Sequence, residues 1–207
     1  MQGEIKSSFF DNVVISPNST IQILEEYRDK TLKSTILDAS RYDVAGPAGD
    51  GGIRHKDFES LYLYHDNLDN PEELISKWNH IIDNFQLIKP RRAYFIWSSI
   101  QPNLPHMVAS AGGNTDQYYL TKDHYNRINS LIQEIFEGVV MFISRAEDVD
   151  PELTDMPNVN IINLDRNIMD YKGPTDLYRS ILETAGFDGN WQRTSNAWYS
   201  NNNNSYR

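Results

Sequence analysis

The residues of this chain whose types and spacing suit chemistry fall into three groups. The first is Ser16-Pro17-Asn18-Ser19, which follows the apolar triplet Val13-Val14-Ile15 and so places two hydroxyls and an amide at the end of a short strand. A serine becomes a nucleophile only with a base in hydrogen-bond reach and a third group to orient that base. The second group is the five histidines, His55, His65, His80, His106 and His124. None is paired at i, i+4 around a Glu or shows another ligand spacing, so neither a metal nor a cofactor is expected. His106 is the candidate base for Ser16 or Ser19, and His65-Asp66 has the composition of a base beside its orienter. The third group is acidic: Asp38, Asp50, Glu147, Asp148, Asp165 and Asp170 fall where strands are expected to finish. Carboxylates placed so can bind a cation or act as acid and base on a sugar, although Asp is also common at turns and caps.

Binding groups cluster in the expected loops. Val44 to Gly52 is the most glycine-rich stretch, and Gly46, Gly49 and Asp50 are binding candidates there because glycine permits close approach of backbone to a ligand. It lacks the Lys and Ser/Thr ending of a phosphate loop, which weakens a nucleotide-sugar transferase reading. Gln101 to Leu120 carries Pro102, Pro105, His106 and Gly112-Gly113, and a loop of that length is a candidate lid. Ser98, Ser99 and Asn103 at its entrance, with Arg145 and Asp165 after later strands, complete the binding candidates. Trp97, Tyr118, Tyr119, Trp191 and Trp198 are aromatics of the kind that sugar sites and protein interfaces share.

These side chains need a scaffold, and the totals permit one. A chain of 207 residues is long enough for one sizeable core. Its net charge of −10 disfavours nucleic acid as a partner, and the tight basic pair Arg91-Arg92 reads as a solvated strand entrance. The absence of Cys removes disulfides and thiolate chemistry. No apolar run approaches the ~18 residues of a membrane span, and the first residues lack a secretory profile, so a soluble cytoplasmic protein with no membrane partner is expected.

The clearest element is the helix beginning at Asn70-Pro71, with Glu72 and Glu73 in its first turn and Leu74, Ile75, Trp78, Ile81, Ile82 and Phe85 on one stripe. A strand, Ala93 to Trp97, follows it. Thr121 caps a second striped helix, Tyr125 to Phe136, stopped by Gly138 and followed by a strand at Val139 to Ile143. Val159 to Leu164 reads as another strand and Pro174 to Ala185 as the last helix. Upstream, Val13 to Ile15 is a strand, Ser19 with Gln22 matches a capping box for a helix through Ile21, Leu24 and Tyr27, and Ser34 to Ala39 reads as a second strand. Phe58 to Tyr64 alternates and fits either a strand or a helical turn. Apolar strands alternating with helices predict a three-layer α/β/α sandwich on a mainly parallel, five-stranded sheet. The expected division is an arm at 1–11 that docks Phe9-Phe10 on the body, one α/β domain at 12–187, and a polar, Asn-rich tail at 188–207.

This flavodoxin-like order resembles the SGNH (GDSL-like) hydrolases over residues 12 to 186. The resemblance places Asn18 where that family has its nucleophilic Ser and Gly46 or Gly49 where it has an oxyanion-hole glycine. Trp97-Ser98-Ser99-Ile100 stands in place of Gly-x-Asn-Asp, with Asn103 the nearest Asn, and Asp170-Tyr171-Lys172-Gly173-Pro174 in place of Asp-x-x-His-Pro. The nucleophile and the base are both missing from their positions.

The resulting expectation is a degenerate, non-catalytic SGNH-like domain that serves as a binding or assembly subunit, with a protein partner or its own copies, and with a carbohydrate as a further candidate ligand. The alternative is an ester or carbohydrate hydrolase with a rearranged site drawing on Ser16, Ser19, His106 and Asp170. A nucleotide-sugar transferase is the third reading.

Overall fold

The computed structural model describes residues 4–5, 9–45, 52–63, 66–88, 94–98, 114–162 and 192–193. The chain divides into two compact units, one of residues 8–173 and one of residues 1–7 with 174–207. In the second unit β1 (Glu4–Ile5) pairs in parallel with Gln192–Arg193, Glu4 opposite Gln192 and Ile5 opposite Arg193. The ends of the chain, expected as separate arm and tail, thus meet in one ladder.

The larger unit is mixed α/β. It starts with a 3₁₀ turn at Phe9–Asn12, and the arm's rings dock as expected: Phe9 is fully buried 5.1 Å from the Trp78 ring, and Phe10 meets Phe85 edge-on. Then come β2 (Val14–Ile15), α1 (Pro17–Arg28) and α2 (Leu32–Ile36). The expected second strand at Ser34 to Ala39 is therefore corrected, since its first residues complete a helix. Leu32, Thr35 and Ile36 are buried together, a spacing that makes one helical face, and Asp38 caps a 3₁₀ turn at Ala39–Arg41.

Three short strands follow, β3 (Tyr42–Val44), β4 (Ile53–His55) and β5 (Leu61–Leu63). With β2 they form an antiparallel sheet in the order β2-β5-β4-β3. Val13 to Ile15, expected in the parallel sheet, thus pairs antiparallel with the stretch around Tyr62, and the strand reading of Phe58 to Tyr64 holds over Leu61–Leu63. The glycine-rich segment joins β3 to β4, and residues 46–51 lie outside the described residues.

The second half follows the sequence closely. In α3 (Pro71–Gln86) the Asn70 side chain accepts from the Glu73 N–H, and Leu74, Trp78, Ile82 and Phe85 are buried. β6 (Tyr94–Ser98), α4 (Lys122–Phe136), β7 (Val139–Ser144) and β8 (Val159–Ile161) come next. The three strands form a parallel sheet in the order β6-β7-β8. Among the described residues the parallel sheet has these three strands, short of the five expected. On one face of it Trp97 meets Phe142 and Phe95 meets Phe136; on the other Ile96 and Val139 are 43% and 47% exposed while Ile143 is fully buried. The expected helix at Pro174 to Ala185 lies outside the described residues.

Helix α4 ends one residue earlier than its glycine suggests. Glu137, at φ 49° and ψ 36°, takes the left-handed position, and its N–H bonds the Gln133 carbonyl. An L-residue there crowds its Cβ against a carbonyl, a strain glycine lacks. Glu137→Gly is expected to raise stability by about 0.5–1 kcal/mol, the relief of strain outweighing the added freedom of the unfolded chain. A higher urea midpoint at unchanged slope is the measurement.

Candidate functional site

The polar groups that the structure gathers lie at the start of α1. Ser16 is fully buried between β2 and α1 and is the N-cap. Its Oγ accepts from the Ser19 N–H at 3.2 Å, and its N–H donates to the Ser60 carbonyl at 3.1 Å. This corrects the expected cap: Ser16 holds that place, Pro17 takes the first helical position, and Ser19 sits in the first turn. Gln22, expected to reach back to the cap, bonds Glu26 instead. Ser19 Oγ in turn accepts from the Ser60 N–H at 3.0 Å. The two candidate nucleophiles thus tie the first turn of α1 to the turn before β5.

Glu59 is the acid of this site. Its Oε2 lies 3.0 Å from Ser16 Oγ and 3.1 Å from Asn18 Nδ2. Beyond it, Asn18 Oδ1 lies 2.9 Å from His124 Nε2. His124 occupies the third position of α4 and its Nδ1 accepts from the Thr121 N–H at 3.3 Å, while Thr121 Oγ1 accepts from the His124 N–H at 3.2 Å. A backbone N–H can only donate, so Nδ1 is bare and the proton of the neutral ring is on Nε2. The orientation of Asn18 follows. Its Oδ1 must face the ring and its Nδ2 the carboxylate, so the donors run from His124 through Asn18 to Glu59.

Helices α1 and α4 run the same way along this contact, because Glu25 bonds Arg127 and Arg28 meets Glu134 farther along both. Their N-terminal ends, both partly positive, therefore lie side by side, and Glu59 supplies a negative group at the start of α1. Below, Ser60 Oγ and the Tyr118 hydroxyl share a short hydrogen bond, and burial pushes Tyr118 above its ordinary range and keeps it protonated.

The other candidates go elsewhere. Ser98 ends β6 opposite Ile143, and buried Arg145 follows β7 with Nη1 3.5 Å from Asp148 Oδ2, so both stand at the carboxyl edge of the parallel sheet. Asp38 accepts from the Ser40 hydroxyl at 2.6 Å and from the Ser40 N–H and Arg41, bonds that hold it below its usual range as a cap. Asp66, the proposed orienter of His65, accepts from Lys77 at 2.6 Å and Trp78 Nε1 at 3.0 Å. His80 contacts Asn84 on the surface of α3. Gly46, Gly49, Asp50, His65, Ser99, Asn103, His106, Asp165, Asp170, Trp191 and Trp198 lie outside the described residues.

Sequence reasoning missed Glu59, Ser60 and the role of His124. Thr121 was legible as a cap, and His124 at its third position was the available signal. Nothing local marks Glu59, whose partners are 41 and 43 residues away. Among the described residues no group of three or more His, Asp or Glu is arranged to hold a metal ion. Comparison of the chain with family models, curated proteins and solved structures finds no match.

As a cap, Ser16 carries stability. Ser16→Ala is expected to cost about 1–2 kcal/mol, because a buried Ser19 N–H loses its acceptor, while Asn18→Ala on the exposed rim stays within about 0.5 kcal/mol. Urea denaturation of the two variants side by side measures the contrast, and equal midpoints would remove the capping role.

Proposed function

We propose that this chain is a non-catalytic α/β domain that serves as a binding or assembly subunit. One observation carries the reading: among the described residues, the hydroxyl and the imidazole gathered at the start of α1 are already engaged in helix capping. Ser16 Oγ accepts from the Ser19 N–H, and both His124 nitrogens are bonded, one to the Thr121 N–H and one to Asn18. A base must hold a free lone pair toward the hydroxyl it activates, and His124 has none in its neutral capped state. Asn18, at the nucleophile's place in the SGNH-like frame, is an amide and forms no acyl intermediate. Support for that frame is confined to the run α3, β6, α4, β7, β8; the antiparallel β2 and the helical α2 depart from it.

What the site offers is recognition. Asn18 and Glu59 are exposed and present an amide and a carboxylate held in fixed orientation by Ser16 and His124. Preorganised polar groups of this kind bind at low ordering cost. The occupant in this reading is a protein surface or a second copy of the chain.

The intact chain is expected to leave aryl esters and glycosides unhydrolysed above the buffer rate and to sediment above the mass of one chain. Turnover abolished by Ser16→Ala or His106→Ala would replace this reading with the rearranged hydrolase. Stabilisation by a nucleotide sugar in a thermal shift would favour the transferase instead. A one-chain mass at every concentration would count against assembly.

A further inference from the structure

The turn that carries Glu59 and Ser60 into the site is tied at its base to Arg41, through the Lys56 N–H and the Asp57 carboxylate, and is bonded on its inner side by one buried ring. His55 ends β4, is 1% exposed, and stands edge-on between Tyr42 at 4.7 Å and Phe58 at 4.8 Å. Both ring nitrogens are bonded to backbone. The Asp57 N–H points at Nδ1 over 3.2 Å, and the Thr35 carbonyl lies 3.1 Å from Nε2. An amide only donates and a carbonyl only accepts, so a single neutral tautomer satisfies both: Nδ1 bare, Nε2 protonated. Adding a proton at Nδ1 sets two donors face to face, and the Asp57 bond is lost.

We propose that His55 is a pH-operated latch: neutral, it closes the turn at 56–60 and holds Glu59 against Ser16 and Asn18; protonated at Nδ1, it releases that turn and the Glu59 contacts with it. The latch goes beyond the binding reading and stands without it. Every segment packed on the ring bears on the proton. Asp57 from the turn and Glu26 from α1 favour the charged ring, Arg41 from the 3₁₀ turn before β3 opposes it, and Tyr42 and Phe58 are neutral walls. Arg41 also bonds Asp57 at 2.8 Å, which blunts the carboxylate's pull. Burial is the largest influence and holds His55 below its ordinary range.

The direction follows from linkage. The unfolded or opened segment takes up the proton near pH ~6.5 and the closed ring only below that, so the closed state is fully favoured above about pH 6.5 and loses ground as pH falls through the interval. Phe58, packed on the same ring and buried, sits in the turn that must move.

The test is an NMR titration of the full chain from about pH 7.5 to about pH 5, following the His55 ring, the Asp57 amide protection factor and the Asn18 side-chain amide. The expected result is a loss of about tenfold or more in Asp57 protection, with the midpoint of the His55 ring and a parallel shift at Asn18. His55→Asn places a non-titrating oxygen near the Nδ1 position and is expected to keep Asp57 protection level across the range. If that variant does not fold, coincidence of the three wild-type midpoints decides. Protection that stays level while His55 titrates overturns the latch, as does protection lost only with carboxylates near pH ~4. A ring that takes its proton only when the whole fold is lost overturns it too.

Discussion

The buried start of α1 sets the terms for everything around it. A helix leaves its first N–H groups without partners, and when that end lies out of water each must be met by the protein. Here α1 begins one residue after β2 ends, with Ser16 fully buried at the junction. Pro17 removes one of the orphan donors, Ser16 Oγ meets the Ser19 N–H, and Ser19 Oγ meets the Ser60 N–H while the Ser60 carbonyl accepts from Ser16. Through Ser60 the requirement passes to β5, so a local need of one helix fastens it to the antiparallel sheet.

The same requirement decides what the hydroxyls can do. A capping oxygen points its lone pair at a backbone N–H and gains stability from staying there, whereas a nucleophile needs that oxygen free and a base beside it. His124 is engaged likewise as the third residue of α4, where Thr121 and the ring cap each other. Among the described residues, two adjacent helix starts thus engage Ser16, Ser19 and His124 in capping and packing contacts. Glu59 and Asn18 remain on the rim, oriented by their bonds to Ser16 and His124.

Legibility was uneven for physical reasons. Helix α3 was plain because Asn70, Pro71 and the spacing of Leu74, Trp78, Ile82 and Phe85 all act within a few residues of one another. The strands after α3 and α4 were plain because each is a short apolar run soon after a helix stop. Ser34 to Ala39 was misread because a short run rich in β-branched residues fits a strand and a helix alike. What separates them is tertiary: Leu32 and Ile36 are buried together, and the Tyr42 hydroxyl donates to the Ile36 carbonyl at 2.8 Å.

Sequence alone determined α3 and α4 with their caps and stripes, and the docking of the Phe9-Phe10 pair. Those features rest on contacts between near neighbours or on residue identity, which need no fold to be read. Tertiary structure decided that β2 pairs antiparallel with β5, that Ser16 caps α1, and that Glu59, Asn18 and His124 form one row. The partners in that row are 41 and 106 residues apart; the pairing of β2 with β5 brings Glu59 to Asn18, and the packing of α1 beside α4 brings His124 to it.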